Sequence, residues 1–251
     1  MTDLSPIRIA MWSGPRNIST ALMRAWENRP DTAVVDEPFY GAYLARTGIE
    51  HPGRDCFLPM LNTDPEAVVQ GLIGEVPRGS SIYYQKHMAH HLPPDMDHGW
   101  MAGVTNAFLI RDPAAVLTSY AKARPDVTLD DLGYTQQVEI FNREADRLGE
   151  APPVIEGDQI LKAPEAALTA LCDRVGVPFD SAMLSWPAGP RDSDGPWAPW
   201  WYRAVEASTK FMRRPPDSTA LPDALRPLAD AAQPLYEALR HHRLAVHTKD
   251  R

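Results

Sequence analysis

Two stretches of this sequence bring together the residue types that hold anions. Ser13-Gly14-Pro15-Arg16-Asn17-Ile18-Ser19-Thr20 follows the apolar run Ile7 to Trp12 and precedes a segment with helical spacing. Backbone N–H groups at a helix start lack intrahelical partners and sit at the positive end of the helix dipole, so they attract anions. Arg16 adds a forked cation, and Ser19 and Thr20 add hydroxyl donors. The same stretch also fits a plain strand–loop–helix with Ser19 as cap and Arg16 in solvent. The second stretch is Arg111-Asp112-Pro113, with Ser119 eight residues after the arginine. A guanidinium fork and a hydroxyl suit a second phosphate; Arg111 paired with Asp112 is the structural alternative. A magnesium-dependent phosphate loop needs Gly-Lys before Ser/Thr. Here Ile18 stands before Ser19, which disfavours ATP hydrolysis.

The elements that must position these residues alternate between strand and helix. Strands are expected at Ile7 to Trp12, Thr32 to Val35, Ser81 to Lys86, Ala107 to Ile110 and Val154 to Glu156. Helices are expected at 19–28, at 65–76 with Thr63 or Asp64 as cap, and from Asp112-Pro113 onward. Further helices are expected at 129–148, at 164–175 ending on Gly176, and at 222–241. Strands separated by helices imply an α/β fold with a largely parallel sheet. Ligands in such folds sit beyond the carboxyl ends of the strands. Those ends carry SGPRNIST, Asp36-Glu37-Pro38, Lys86-His87-Met88-Ala89-His90-His91 and Arg111-Asp112-Pro113.

Composition bounds the function. The 251 residues suit one large domain, taken here as a single unit over 1–251. Net charge is −8, which argues against a broad nucleic-acid or anionic-membrane footprint. No apolar run is long enough to cross a bilayer, and the N-terminus lacks a secretory pattern. Cys56 and Cys172 form no disulfide framework, so a reducing cytoplasm is the simplest expectation. His87, His90 and His91 lack the spacing of a metal site, and none is expected. The segment 185–202 holds four of the seven tryptophans among prolines and glycines. It reads either as a lid or pocket wall, or as a tryptophan-anchored surface connection.

Taken in order, these motifs resemble the sulfotransferases that use 3′-phosphoadenosine 5′-phosphosulfate (PAPS), in particular a bacterial subgroup with the SGPRNIST form of the loop. Pro15, Arg16, Asn17, Ile18, Ser19 and Thr20 align with the family's 5′-phosphosulfate loop. Arg111 and Ser119 match its 3′-phosphate motif. The stretch from Gly157 through Pro164-Glu165 to Gly176-Val177-Pro178 matches a recurrent segment. The sequence departs from the family by Arg16 for lysine, Ile18 for glycine and Ala21 for an adenine-stacking tryptophan. Lys210, in Ser208-Thr209-Lys210-Phe211, stands where the family has a C-terminal Arg-Lys-Gly segment.

The resemblance implies a P-loop NTPase-like, nucleotide-kinase-like parallel sheet of five strands flanked by helices. It implies in-line sulfuryl transfer to a small-molecule hydroxyl or amine acceptor. Arg16 is the first choice for stabilising the departing phosphate and Lys86 the second. Glu37 is the first choice of general base. His87 is the second, because the family's histidine position is Met88 here. Two other classes stay open: a kinase-like P-loop protein, and a nucleotide-binding protein without turnover.

Overall fold

The computed structural model describes residues 5–120, 126–212 and 221–247. Five strands form its centre: β1 Ile7–Ser13, β2 Thr32–Asp36, β3 Ile82–Met88, β4 Thr105–Ile110 and β5 Val154–Glu156. They lie in the order β2-β3-β1-β4-β5, and every neighbouring pair is parallel. This is the expected nucleotide-kinase-like arrangement. The central strand is apolar on both faces, as a parallel strand covered by helices must be. Its successive residues Ile9, Ala10, Met11 and Trp12 are fully buried.

Helices cover both faces. They are α1 Ser19–Glu27, α2 Tyr40–Thr47, α3 Arg54–Phe57, α4 Pro65–Ile73, α5 Pro113–Tyr120, α6 Leu129–Leu132, α7 Tyr134–Leu148, α8 Gly157–Lys162, α9 Pro164–Val175, α10 Ala198–Trp201, α11 Arg203–Glu206 and α12 Arg226–Arg240. Ile9 and Met11 face Leu22, Met23 and Trp26 of α1 and Leu168 and Leu171 of α9. Ala10 and Trp12 face the other layer, which holds Leu72 of α4, Leu117 of α5, Phe141 of α7 and Leu239 of α12. Each fully buried side chain of this size contributes roughly 1.5–3 kcal/mol, so the two layers fix which face each strand residue must take.

Several boundaries differ from the sequence-based expectation. The helix expected over 129–148 is broken at Gly133, which has φ 74°. The break lies against the first loop: a Cβ on Gly14 would sit 2.3 Å from the carbonyl oxygen of Leu132. A continuous helix could not let the two backbones meet so closely. β3 runs on to Met88, two residues beyond Lys86, because it pairs along the whole length of β1. α4 stops at Ile73 before Gly74. The helix expected from Pro222 starts at Arg226, after a 3-10 turn at Asp223–Leu225. Helix α2 was not anticipated; its buried face is aromatic and small, Tyr40, Gly41, Ala42, Tyr43 and Leu44, without a plain apolar stripe.

The segment 185–202 is tied down at several points. Trp186 is buried in the core layer beneath α1 and α9. Asp194 Oδ2 accepts from Arg24 Nη2 at 2.6 Å, and Ser193 Oγ donates to Glu27 Oε1 at 2.5 Å. The Gly195 amide donates to Asp36 Oδ2 at 3.1 Å. The side chains of Arg24 and Asp194 are 1% and 5% exposed. Without Asp194, Arg24 would keep only its longer contact with Glu27, at 3.5 Å. Asp194→Ala is therefore expected to lower the unfolding free energy by about 1.5–3 kcal/mol, read by urea denaturation. A loss below about 1 kcal/mol, the range of a surface pair, would show that water reaches Arg24.

Candidate functional site

The first loop turns from β1 into α1 through two non-glycine residues at positive φ, Arg16 at 61° and Ile18 at 59°. A β-branched residue is strained there, by roughly 1–3 kcal/mol. Ile18 thus adopts a left-handed geometry that a glycine would take freely. Packing of Ile18 against the core layer beneath α1 offsets part of the strain. Ile18 occupies the N-cap position, and its side chain caps nothing. Ser19 is therefore inside α1 and is not its cap, and the helix start is left with unsatisfied amides of the kind that bind anions.

Arg111 and Ser119 converge on this loop. Arg111 Nη1 donates to the Arg16 carbonyl at 2.9 Å, and Arg16 Nε donates to Ser119 Oγ at 3.0 Å. Asp112 caps α5, as expected, by accepting the Ala115 amide at 3.1 Å. Helix α7 holds this corner open. Gln137 Nε2 donates to the carbonyls of Trp12 and Leu109 at 3.0 and 3.1 Å, bridging the carboxyl ends of β1 and β4. The Tyr134 hydroxyl donates to the Arg111 carbonyl at 2.6 Å. Neither Gln137 nor Tyr134 was singled out in the sequence; a polar residue on the buried face of an amphipathic helix was the available signal.

A cleft of about 1280 Å³ runs from this corner to the ends of β2 and β3. Pro15 through Ala21, Arg111 and Ser119 line one part of it, and Glu37 and Lys86 another. Lys210 lines it as well, on an exposed strip bridged to Ser185.

The second part centres on one buried ammonium group. Lys86 Nζ donates to Asp36 Oδ1 at 2.7 Å, Glu37 Oε1 at 2.6 Å and the Tyr202 hydroxyl at 2.7 Å. Asp36 and Lys86 are register partners across β2 and β3. Adjacent strand residues point to opposite faces, so Glu37 could not reach the same nitrogen from a regular strand. It does so because the chain turns at Glu37, with φ 39°. Burial raises the Glu37 pKa above the ordinary carboxylate value, and Lys86 only partly opposes this. Burial also works against the Lys86 charge, but Asp36 and Glu37 outweigh it and hold the ammonium pKa above its usual value. Glu37 Oε2 faces the turn after β3, 3.7 Å from His91 Nδ1. Burial, followed by the positive field of neighbouring groups, drives the His91 pKa well down, so the ring is neutral. Tyr40 and Tyr43 stack on that ring, each with centroids 4.6 Å away.

The structure brings together all but one of the residues assigned from sequence. The exception is His87. Because β3 continues to Met88, His87 points to the opposite face from Lys86. It stacks on Trp12 with centroids 4.3 Å apart and lies outside the lining of the cleft. Burial lowers its pKa to about 3, which also makes it a weak base. Lys86 is at the cleft as expected, but its three N–H donors are all in use by the protein.

The chain belongs to the Sulfotransferase domain family, whose defining sequence pattern matches residues 7–243. Among its relatives are the branched-chain-amino-acid aminotransferase-like proteins 1 and 2 of Arabidopsis thaliana. They are 37% identical over 238 residues and 35% identical over 234 residues. Those alignments take in 94% and 93% of this chain but only 42% and 41% of the plant proteins, so the chain spans less than half their length. Among solved structures, the sulfotransferase domain of the Synechococcus PCC 7002 olefin synthase superposes with a TM-score of 0.51 at 21% identity, covering 96% of this chain and 97% of that one. The sulfotransferase domain of the curacin biosynthetic pathway does so with a TM-score of 0.50 at 15% identity, covering 94% and 98%. At these identities the likeness speaks for the fold.

His87 gives a pH signature. A histidine whose folded pKa lies below its unfolded value gives stability that is present above the unfolded value. That stability is lost as pH falls toward the folded one. The window here runs from the usual 6.5 down to about 3. His87→Phe keeps a ring against Trp12 and removes the titration. Its unfolding free energy is expected to fall less steeply below pH 6.5 than that of the unsubstituted protein, by up to about 1.4 kcal/mol per pH unit. Denaturant titrations across the window measure this, and parallel slopes would show that His87 titrates normally in the fold.

Proposed function

We propose that this protein transfers a sulfuryl group from PAPS to the hydroxyl of a small-molecule acceptor. One observation carries the reading: two cationic anion cradles and a buried carboxylate–ammonium pair open into the same cleft. The cleft suits the donor on chemical grounds. The α1 start offers uncapped amides, and the buried Nε of Arg111 has no hydrogen-bond partner among the described residues. Arg16 and the first turn of α1, with Pro15, Asn17, Ile18, Ser19 and Thr20, would hold the 5′-phosphosulfate. Arg111 and Ser119 would hold the 3′-phosphate, and Lys210 stands near them as a further cation. Ala21, Leu161 and Phe211 offer apolar lining in place of a stacking tryptophan.

When bound, PAPS supplies the sulfuryl group and leaves as adenosine 3′,5′-bisphosphate. The chain's own residues do the rest. Glu37 takes the acceptor's proton on Oε2, since Oε1 is held by Lys86. The guanidinium of Arg16 balances the charge that collects on the departing phosphate. Such fixed charges stabilise a transition state without reorganising. Lys86 acts as the counter-ion that keeps Glu37 ionised in a buried setting. In this reading the segment 185–202 is a fixed wall of the acceptor pocket, within one domain.

Calorimetric titration with adenosine 3′,5′-bisphosphate, with ATP and AMP as controls, tests the donor site. Selective binding that weakens roughly 10- to 100-fold in Arg111→Ala is expected, the range for losing a charged hydrogen-bond donor. Equal affinity for AMP would remove the two-phosphate reading. In an acceptor screen with PAPS, Glu37→Gln is expected to lower turnover about 10²- to 10⁴-fold while leaving bisphosphate affinity unchanged. Binding without turnover in either protein would favour a nucleotide-binding protein.

A further inference from the structure

We propose that Tyr202 is a positioning residue whose hydroxyl, delivered by the Trp/Pro-rich segment, holds the Lys86 ammonium against Glu37. The inference deepens the reading of Glu37 as general base and rests on it for its catalytic meaning.

The hydroxyl is fully committed. It accepts from Lys86 Nζ at 2.7 Å and from Trp197 Nε1 at 3.1 Å, and it donates to Asp36 Oδ2 at 2.6 Å. It also lies 3.4 Å from Glu37 Oε1. A hydroxyl has one proton to give and two lone pairs to offer, so this set saturates it. An ammonium has three protons, and Lys86 gives them to Asp36, Glu37 and Tyr202. The two groups therefore fix each other. With the hydroxyl gone, Asp36 Oδ2 keeps only the Gly195 amide, and one Lys86 proton has no acceptor. The ammonium is then drawn toward Asp36, which has lost one of its donors, and away from Glu37. Trp197 and the Gly195 amide come from the same segment as Tyr202. The segment that walls the cleft thus also sets the spacing of the Lys86–Glu37 pair.

Four elements face Glu37. β2 contributes Asp36, β3 contributes Lys86, the turn after β3 contributes His91, and the end of the segment contributes Tyr202. His91 is neutral and is backed by His90, His51 and the rings of Tyr40 and Tyr43. Among these groups only Lys86 is cationic, and the Tyr202 hydroxyl itself favours the ionised carboxylate. Losing Tyr202's hold on Lys86 therefore favours the protonated carboxyl.

The test is a direct titration of Glu37 in the full chain, with no acceptor needed. Infrared difference spectra between the protein and Glu37→Gln isolate the carboxyl band of Glu37 across pH. In Tyr202→Phe that band is expected to persist to higher pH, its midpoint rising by about one pH unit. Lysine ammonium NMR of the unsubstituted protein supplies a second measurement. A slowly exchanging Lys86 signal is expected, and it should exchange faster in Tyr202→Phe if that variant folds. An unmoved Glu37 midpoint in folded Tyr202→Phe would overturn the inference. So would the lack of a protected Lys86 signal in the unsubstituted protein. If Glu37→Gln retains full sulfuryl transfer, the base reading falls by itself, because the titration does not depend on turnover.

Discussion

The buried ammonium of Lys86 is the constraint around which this site is built. A lone charge at that depth costs several kcal/mol, far more than one hydrogen bond returns. The protein supplies two carboxylates and a hydroxyl within 2.7 Å. Meeting that demand has structural consequences. Asp36 must be in register with Lys86, so the β2–β3 pairing is fixed. Glu37 must leave the strand at positive φ to reach the same nitrogen. The Trp/Pro-rich segment must close over the ends of both strands to bring Tyr202. Its other anchors, Trp186 in the core and Asp194 on Arg24, hold the segment where that hydroxyl is required.

The opposite part of the cleft follows a different rule. There the cations Arg16 and Arg111 are half-buried beside the cleft, and the order comes from backbone geometry. Gly14 meets the carbonyl of Leu132, Ile18 turns the chain in a left-handed conformation, and Gln137 spans the ends of two strands. One part of the cleft binds charge by satisfying it in advance. In the proposed reading, the other meets the charge of a bound anion.

Much of this was legible in the sequence, and the reasons are specific. Short apolar runs ending in Ser13-Gly14, Asp36-Glu37 and Arg111-Asp112-Pro113 marked three strand ends, because punctuation of that kind is local. The partnership of Arg111 and Ser119 was legible through the family resemblance rather than through helix geometry, because Arg111 precedes α5 while Ser119 lies within it. What was not legible depended on pairing. Two extra residues of β3 decide that Lys86 and His87 face opposite layers, and only the partner strand fixes that length. The break at Gly133 depends on a backbone approach from a loop far away in the chain. Tyr202 lies 116 residues from Lys86 in a stretch without periodicity, so no spacing rule could join them.

The mutual saturation of Lys86, Asp36 and Tyr202 also bears on how such a site can change over generations. Replacing one member strands the other two, so each single step is costly even if the final combination is sound. The effects are non-additive in the sense that contacting, hydrogen-bonded residues generally are. Descendants of this chain can keep the cluster whole or abandon it as a set. The interior of the site is therefore a slow-moving character, while the exposed rim of the cleft is free to drift.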